Sequence, residues 1–261
     1  MKQALFILVL FTSLTVWNYG AEDNALTKFQ FFGKLEAAEH GDIQAQYFVG
    51  EAYEYGIGVT QDYKEAFKWY RKAADRGHAD AQINLGFMYE NGWGVPKDYT
   101  NAAKWYRKAA EKGDARAQTN LGNMYREGTG VKQDYKKAVE LFSKAAEEGF
   151  AGAQNNLGHM YLEGQGVKQD YKKAIEQFSK AAEQENAYAQ SSLGVMYLEG
   201  YGVEKNPQEA LKWFLKSADQ QCADGQYNLG VVYTEGKGVE KDFAIAIEWY
   251  RKAVQQNFAE A

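Results

Sequence analysis

The stretch Gly113-Asp-Ala-Arg-Ala-Gln-Thr-Asn-Leu-Gly-Asn-Met-Tyr-Arg-Glu-Gly-Thr-Gly-Val131 decides the fold, because its pattern recurs along the chain. Copies begin every 36 residues, without insertion, at Gly41, Gly77, Gly113, Gly149, Glu185 and Gln221. Self-similarity at one fixed period is typical of repeat architectures. The sequence therefore predicts six repeats, at 41–76, 77–112, 113–148, 149–184, 185–220 and 221–256. A capping helix over 21–40 and a short tail over 257–261 are expected to flank them.

Each repeat is predicted to contain two helices. In the third repeat the first helix ends near Tyr125, and Leu121 lies four residues earlier on the same face. Gly122 recurs between them in every repeat, although a glycine inside a helix costs about 1 kcal/mol relative to alanine. The recurrence indicates that a neighbouring helix passes close to this glycine.

A glycine-rich turn joins the two helices. Gly128 suits a left-handed helix cap, Gly130 suits a tight loop, and Asp134 is predicted to cap the second helix. The second helix carries Ala138 and, four residues later, Phe142, so small and aromatic side chains can interlock. The turn lacks the endings of phosphate-binding loops, so no nucleotide or other cofactor is expected.

Tryptophan precedes this aromatic residue in four repeats, at Trp69, Trp105, Trp213 and Trp249. Leu141 and Gln177 replace it in the two middle repeats. We expect these tryptophans to pack between repeats, with stacking on sugars or bases as the alternative.

The pattern Ala-x-Ala-Gln-x-x-Leu-Gly-x-x-Tyr-x-x-Gly-x-Gly-Val-x-x-Asp resembles the Sel1-like repeat family, relatives of the tetratricopeptide repeats with a longer glycine-rich loop. The resemblance covers residues 41–256. It implies an all-α fold, a right-handed α/α superhelical solenoid whose first helices line the concave side. It also implies an adaptor role in protein assembly, the cell envelope or host contact, without naming one partner.

The net charge of −5 is spread along the chain, which disfavours nucleic acid and anionic membranes as partners. Lys2, the mostly apolar stretch 4–17 and the small residues Gly20 and Ala21 resemble a secretory signal. The only cysteine, Cys222, cannot form an intramolecular disulfide. These features predict a cleaved signal peptide over 1–20 and a periplasmic or secreted bacterial protein with no further membrane span. An uncleaved N-terminal anchor is the alternative.

The first helices differ between repeats at positions spaced by four and three residues, hence on one face. We call these positions the first-helix face: Tyr47, Glu51, Ile83, Phe87, Asn123, Arg126, Asn155, His159, Val195, Tyr227 and Val231. Because positions shared by all repeats reflect packing, the differing ones are predicted to form a groove for an extended peptide or a helix. A solvated face without a partner is the alternative. The recurring Asn84, Asn120, Asn156 and Asn228 are expected to bond between helices.

A binding scaffold is therefore the predicted function, and the expected partner is a protein or peptide. We expect no enzyme and no metal site, because no Ser-x-x-Lys, Gly-x-Ser-x-Gly or His-Glu-x-x-His motif occurs and the three histidines lie in different contexts. A β-lactam or cell-wall hydrolase, the label of some relatives, and a peptidoglycan-binding protein are the alternatives. The last helix, with Trp249 and Ala253, is predicted to dock a partner or a second copy in a homodimer. The alternative is that local side-chain rearrangement and the short tail cover it.

Overall fold

The computed structural model describes the backbone of residues 19–259 and the side chains of residues 28–255. Within residues 19–259 every regular element is an α-helix, thirteen in all, which confirms the all-α solenoid class. The chain divides into two compact units, residues 1–98 and 99–261. The predicted signal peptide, residues 1–20, and the predicted tail, residues 257–261, lie outside the described side chains.

The N-terminal unit contains four helices: α1 (Tyr19–Glu39), α2 (Ile43–Tyr55), α3 (Tyr63–Asp75) and α4 (Ala79–Asn91). Helix α1 spans the segment expected to cap the first repeat, and it packs against α2. Phe31 and Ala38 of α1 join Val49 of α2 and Trp69 of α3 in one buried cluster. The first repeat is therefore covered by an additional helix that buries apolar surface against it.

The C-terminal unit contains nine helices: α5 (Tyr99–Ala110), α6 (Ala115–Glu127), α7 (Tyr135–Glu147), α8 (Ala151–Glu163), α9 (Tyr171–Glu183), α10 (Ala187–Glu199), α11 (Pro207–Asp219), α12 (Ala223–Glu235) and α13 (Phe243–Ala259). Consecutive helices of this unit pack together. First helices of neighbouring repeats also touch, α6 with α8 and α10 with α12. Each repeat thus buries its helices against the next one, as in other solenoids.

In the first, third, fourth, fifth and sixth repeats the glycine inside the first helix faces an aromatic ring of the second helix. A Cβ atom added at Gly158 would stand 2.6 Å from Cε1 of Phe178, and that ring is completely buried. Gly122 meets Phe142 and Gly194 meets Phe214 in the same way. The predicted close approach of a neighbouring helix is confirmed.

The glycine-rich turn uses its two glycines differently. In the fourth repeat Gly164 caps α8 at a φ of 69°, and its N–H donates to the carbonyl of Met160. Gly166, at a φ of 70°, touches the start of α7, because an added Cβ would stand 2.5 Å from the Tyr135 carbonyl. The side chain of Asp170 then accepts hydrogen bonds from the first N–H groups of α9, as the sequence predicts.

In four repeats the glutamine near the start of the first helix ties this helix to the helix before it. Gln46 Nε2 donates to the carbonyl of Ala38 at 3.1 Å, and Gln190 Nε2 donates to that of Ala182 at 3.3 Å. These carbonyls belong to the last turn of the preceding helix, where backbone acceptors lack helical partners. The glutamine therefore completes the end of the helix that comes before it.

Candidate partner-binding face

In the N-terminal unit the first-helix face combines an aromatic stack with a carboxylate. The Tyr47 ring stacks on His78 with centroids 4.4 Å apart, and its hydroxyl donates to Glu51 Oε1 at 2.7 Å. Burial, followed by the contact with Glu51, raises the pKa of Tyr47. Ile83 is only 7% exposed, so its side chain packs inside the unit, whereas Phe87 is 42% exposed.

Phe87 belongs to a surface cluster of three aromatic rings. Its ring meets Trp93 edge-to-face with centroids 5.1 Å apart, and Trp93 lies 5.1 Å from Tyr63. Trp93 occupies the variable position of the Gly-x-Gly-Val turn, so the repeat pattern predicts no role for it. A signal was present, since an aromatic side chain in an exposed turn needs a packing or binding explanation.

Glu51 is the carboxylate of this part of the face, and a second carboxylate, Glu54, lies in the interior. Glu54 is 7% exposed and accepts a hydrogen bond from the Tyr70 hydroxyl. Burial and this contact with Glu54 raise the pKa of Tyr70. Among residues 28–98, neither Glu51 nor Glu54 forms an ion pair with a lysine or arginine. The face of the N-terminal unit therefore favours a cationic group placed beside an apolar one.

In the C-terminal unit the first helices are linked by a ladder of side-chain hydrogen bonds. Asn156 Nδ2 donates to Asn123 Oδ1 at 3.0 Å, which joins α8 to α6. Ser192 Oγ and His159 Nε2 are 3.3 Å apart at the equivalent positions of α10 and α8. The repetition of one geometry identifies the Ser192–His159 contact as part of this ladder. Two of the face residues, Asn123 and His159, are thus shared between packing and surface.

The ladder continues in the next repeat with a different acceptor, because the residue at the equivalent position there is apolar. Val195 stands at the position of Asn123 and His159, and Asn228 Nδ2 donates to Ser191 Oγ instead, at 3.0 Å. Bonding between helices, as predicted for the asparagine row, is confirmed at Asn156 and Asn228. The polar contact is retained although the residue types differ.

Arg126 and His159, from two successive repeats, line one open cleft of about 520 Å³. The residues that line this Arg126 cleft are Arg126, Glu127, Gln133, Tyr135, His159, Glu163 and Gln165. Arg126 pairs with Glu127 at 3.0 Å, and both side chains are partly exposed. Burial lowers the pKa of His159, so its imidazole is held neutral at pH 7.

The remaining face residues of this unit lie in different surroundings. Asn155 is half-buried, and its Oδ1 has no hydrogen-bond partner among the described residues. Val195 and Val231 are half-buried, while Tyr227 is 56% exposed beside the Tyr250 ring. The face is therefore accessible at Phe87, Tyr227 and the Arg126 cleft rather than along its whole length.

The other residues considered for binding lie in the interior. Trp69 and Trp105 are 7% and 5% exposed, in agreement with the packing role predicted for them. Cys222 is a buried free thiol.

Across residues 28–255 no three His, Cys, Asp or Glu side chains gather as metal ligands would. No helix of the described part is long and apolar enough to cross a membrane.

Helical pairs that stack through a recurring glycine–aromatic contact and are joined by a Gly-x-Gly-Val turn define an α-solenoid of the tetratricopeptide type. The chain belongs to the Sel1 repeat family, whose model matches residues 43–78, 79–114, 115–150, 151–186, 187–222 and 223–258. The matched segments have the expected period and begin two residues after the repeat boundaries used above. No curated protein matches the sequence.

Solved bacterial structures resemble the chain over most of its length. A protective antigen of uropathogenic Escherichia coli strains with the same repeat fold is 42% identical, with a TM-score of 0.76 over 87% of this chain and 48% of the other. A Sel1 repeat protein from Oxalobacter formigenes is 33% identical, with a TM-score of 0.79 over 88% and 96%. An immunity protein from Pseudomonas aeruginosa is 26% identical, with a TM-score of 0.55 over 82% and 81%. The chain thus spans about half of the first relative and nearly all of the second.

Proposed function

We propose that this protein is an extracytoplasmic scaffold that binds a peptide or protein partner on its first-helix face. Sel1 repeat folds are commonly protein-interaction scaffolds and are typically non-catalytic. The observation that carries the proposal is the Arg126 cleft, because it gathers two residues that differ between repeats, Arg126 and His159, into one accessible concavity. Concave sites with a few converging polar groups are the usual places for recognition.

The chemistry of the face suggests what the partner presents. In the C-terminal unit the Arg126 guanidinium offers a planar donor fork that suits a carboxylate, and Gln133 and Gln165 offer amide groups for a peptide backbone. In the N-terminal unit the exposed Phe87 ring and the carboxylate of Glu51 suit an apolar side chain followed by a basic one. We therefore expect the N-terminal unit to bind a basic segment and the C-terminal unit an acidic one.

Affinity capture followed by direct titration tests this proposal. The protein without residues 1–20 is used to capture partners from the extracytoplasmic fraction of its source, and binding is then measured by calorimetry. Arg126→Ala and Phe87→Ala are expected to weaken binding about tenfold each, since central aromatic and arginine contacts typically contribute more than 1 kcal/mol. Lys172→Ala, an exposed change on second helix α9, is the matched control and should leave the affinity unchanged. Equal affinity of all three variants would contradict the proposal.

The location outside the cytoplasm rests on the signal-like N-terminus and on one relative. The Escherichia coli protein is a protective antigen, and antibodies act on antigens that they can reach. Fractionation of cells that express the tagged full chain tests this part. We expect a shortened product outside the cytoplasm; full-length protein retained in the cytoplasm would contradict it.

Self-association through the last helix is a separate part of the proposal. Phe243, Ile247 and Val254 are 63%, 49% and 50% exposed, and their spacing of four and seven residues places them on one side of α13. Such an apolar stripe suits a second copy of the chain. Sedimentation over a wide concentration range should show a dimer that dissociates on dilution, and that Ile247→Glu abolishes. A monomer at every concentration would exclude this dimer.

A further inference from the structure

One position of the second helix differs among the repeats in a way that changes the surface. In the fifth repeat Trp213 packs on a buried cluster that contains Ala182 and Leu193. Trp249 packs on the equivalent pair, Ala218 and Leu229. In the N-terminal unit Trp69 shares a cluster with Ala38 and Val49, again the equivalent pair. In these three repeats an indole therefore packs with the cluster that contains the same small-and-branched pair.

The third repeat carries Leu141 instead, and here the equivalent pair borders an open cavity. Ala110 and Leu121 line a space of about 240 Å³ among α5, α6 and α7, with Leu141 beside them. Leu121 and Gln118 are 3% and 4% exposed, so they form the floor. We call this space the Leu141 pocket. None of the residues that line it belongs to the first-helix face, and none of them lines the Arg126 cleft.

The lysine that accompanies the tryptophan elsewhere is also present at the Leu141 pocket. In the four repeats with tryptophan the ammonium three residues later lies over the indole, at 3.6, 3.7, 4.2 and 4.0 Å for Lys72, Lys108, Lys216 and Lys252. Their equivalent is Lys144, which lines the pocket and pairs with Glu140 at 2.9 Å. Both partners of that pair are more than half exposed, so separating them costs little.

We propose that the Leu141 pocket binds an aromatic ring of indole size, supplied by another molecule. Such a ligand needs a buried floor, supplied here by Leu121 and Gln118, and a cation that can lie over the ring, supplied by Lys144. Apolar cavities of about 150 Å³ already bind benzene in other proteins, so this volume is sufficient. Arg107, which donates to the Tyr125 hydroxyl at 3.2 Å, adds a second cation to the rim.

Titration with indole, followed by amide NMR shifts of ¹⁵N-labelled protein, tests the proposal. We expect saturable shifts centred on Leu121 and Leu141. Leu141→Trp supplies the ring from the chain itself and should abolish these shifts, while Leu141→Ala should retain them. Trp213→Leu should open an equivalent site in the fifth repeat and add a second set of saturable shifts near Leu193. Because Leu141→Trp fills a cavity, the thermal midpoint of this variant should lie above that of the native protein. Such a rise would show that the variant folds.

Two further probes distinguish the sources of the ring. Saturation by a Gly-Gly-Trp-Gly-Gly peptide as tight as that by indole would indicate the side chain of a protein partner. Saturation by indole alone would indicate a free small aromatic compound. The proposal is overturned if indole shifts the native protein and Leu141→Trp equally, or if the native protein shows no saturable shift. Neither outcome bears on the first-helix face, whose test uses other residues.

Discussion

The contact inside a repeat and the contact between repeats differ in how much variation in residue type they tolerate. Inside a repeat, Gly158 lies against Phe178, and the equivalent pairs in the C-terminal unit are again glycine and a large aromatic ring. Between repeats, the ladder uses Asn156 with Asn123 in one place and Ser192 with His159 in the next. A side chain at the glycine position would stand closer to the ring than normal contact allows, so only glycine fits there. A hydrogen bond of about 1 kcal/mol, by contrast, can be made by several pairs of residues.

A large effect is expected from breaking the contact inside a repeat. In Gly158→Ala the new Cβ would stand 2.6 Å from a completely buried ring, so α8 and α9 must separate. Overpacking of this kind costs up to about 3 kcal/mol, and alanine regains roughly 1 kcal/mol of this in a helix. We expect a net loss of up to about 2 kcal/mol in the free energy of unfolding, measured with urea.

Gly33→Ala provides the matched control in α1, because nothing lies within 4 Å of the added Cβ. There the gain in helix propensity is unopposed, so stability should rise by up to about 1 kcal/mol. A double variant, Gly158→Ala with Phe178→Leu, should lose less than the sum of its single changes. Equal effects of alanine at positions 158 and 33 would refute the steric explanation.

The two glycines of one turn should separate backbone strain from steric contact. Both Gly164 and Gly166 have a positive φ, for which alanine costs roughly 1–2 kcal/mol. An added Cβ at Gly166 would stand 2.5 Å from the Tyr135 carbonyl, well below contact distance, whereas at Gly164 the nearest atoms, Cβ and the backbone N of Gln169, are 3.2 Å away. Gly166→Ala should therefore cost about 1 kcal/mol or more beyond Gly164→Ala in urea unfolding. The reverse order would show that α7 yields easily at this contact.

The features that the sequence predicted well are those that depend on near neighbours in the chain. The period, the helix pair, the cap at Gly164 and the N-cap at Asp170 all follow from local backbone chemistry, and the structure confirms them. The glycine–aromatic contact was also predictable, since a costly residue that recurs needs a compensating contact. Repetition supplied the information that a single copy would lack.

The candidate site was less predictable, because helical spacing shows which residues share a face but not which neighbour covers that face. Ile83 and Phe87 are four residues apart, yet one is 7% and the other 42% exposed. The cluster around Trp93 and the Leu141 pocket depend on contacts between residues far apart in sequence. Such contacts emerge only when the rotation of each helix against the next is known.

A smaller effect is expected from breaking one rung of the ladder. Asn156→Ala removes the 3.0 Å hydrogen bond to Asn123 and should lower the free energy of unfolding by about 1 kcal/mol. A double-mutant cycle with Asn123→Ala isolates the coupling, which we expect to be about 0.5–1 kcal/mol. Substituting serine for Asn156 tests whether the rung tolerates other donors, as the ladder does at Ser192. A coupling near zero would show that these side chains exchange their partners for water without loss.

The smallest effect is a dependence on pH at the His159 rung. Burial lowers the pKa of His159 in the folded protein, and the charged groups around it act in opposite directions: Glu163 and Asp224 raise this pKa, and Arg126 lowers it. Below pH 6.5 the His159 imidazole is protonated in the unfolded chain, whereas in the folded protein it takes up the proton only at a lower pH. The contribution of His159 to the free energy of unfolding is therefore complete above pH 6.5 and declines as the pH falls toward the folded pKa.

His159→Asn introduces the residue that stands at the same position in the third repeat and removes the titrating group. Between about pH 7 and about pH 5 the native protein should lose up to about 1 kcal/mol more stability than this variant in urea unfolding. Identical losses in both proteins would mean that the imidazole takes up its proton as readily as in water. In that case the contact with Ser192 would be exposed to solvent. The ladder would then differ from the interior of a repeat in its access to solvent as well as in the residue types that it tolerates.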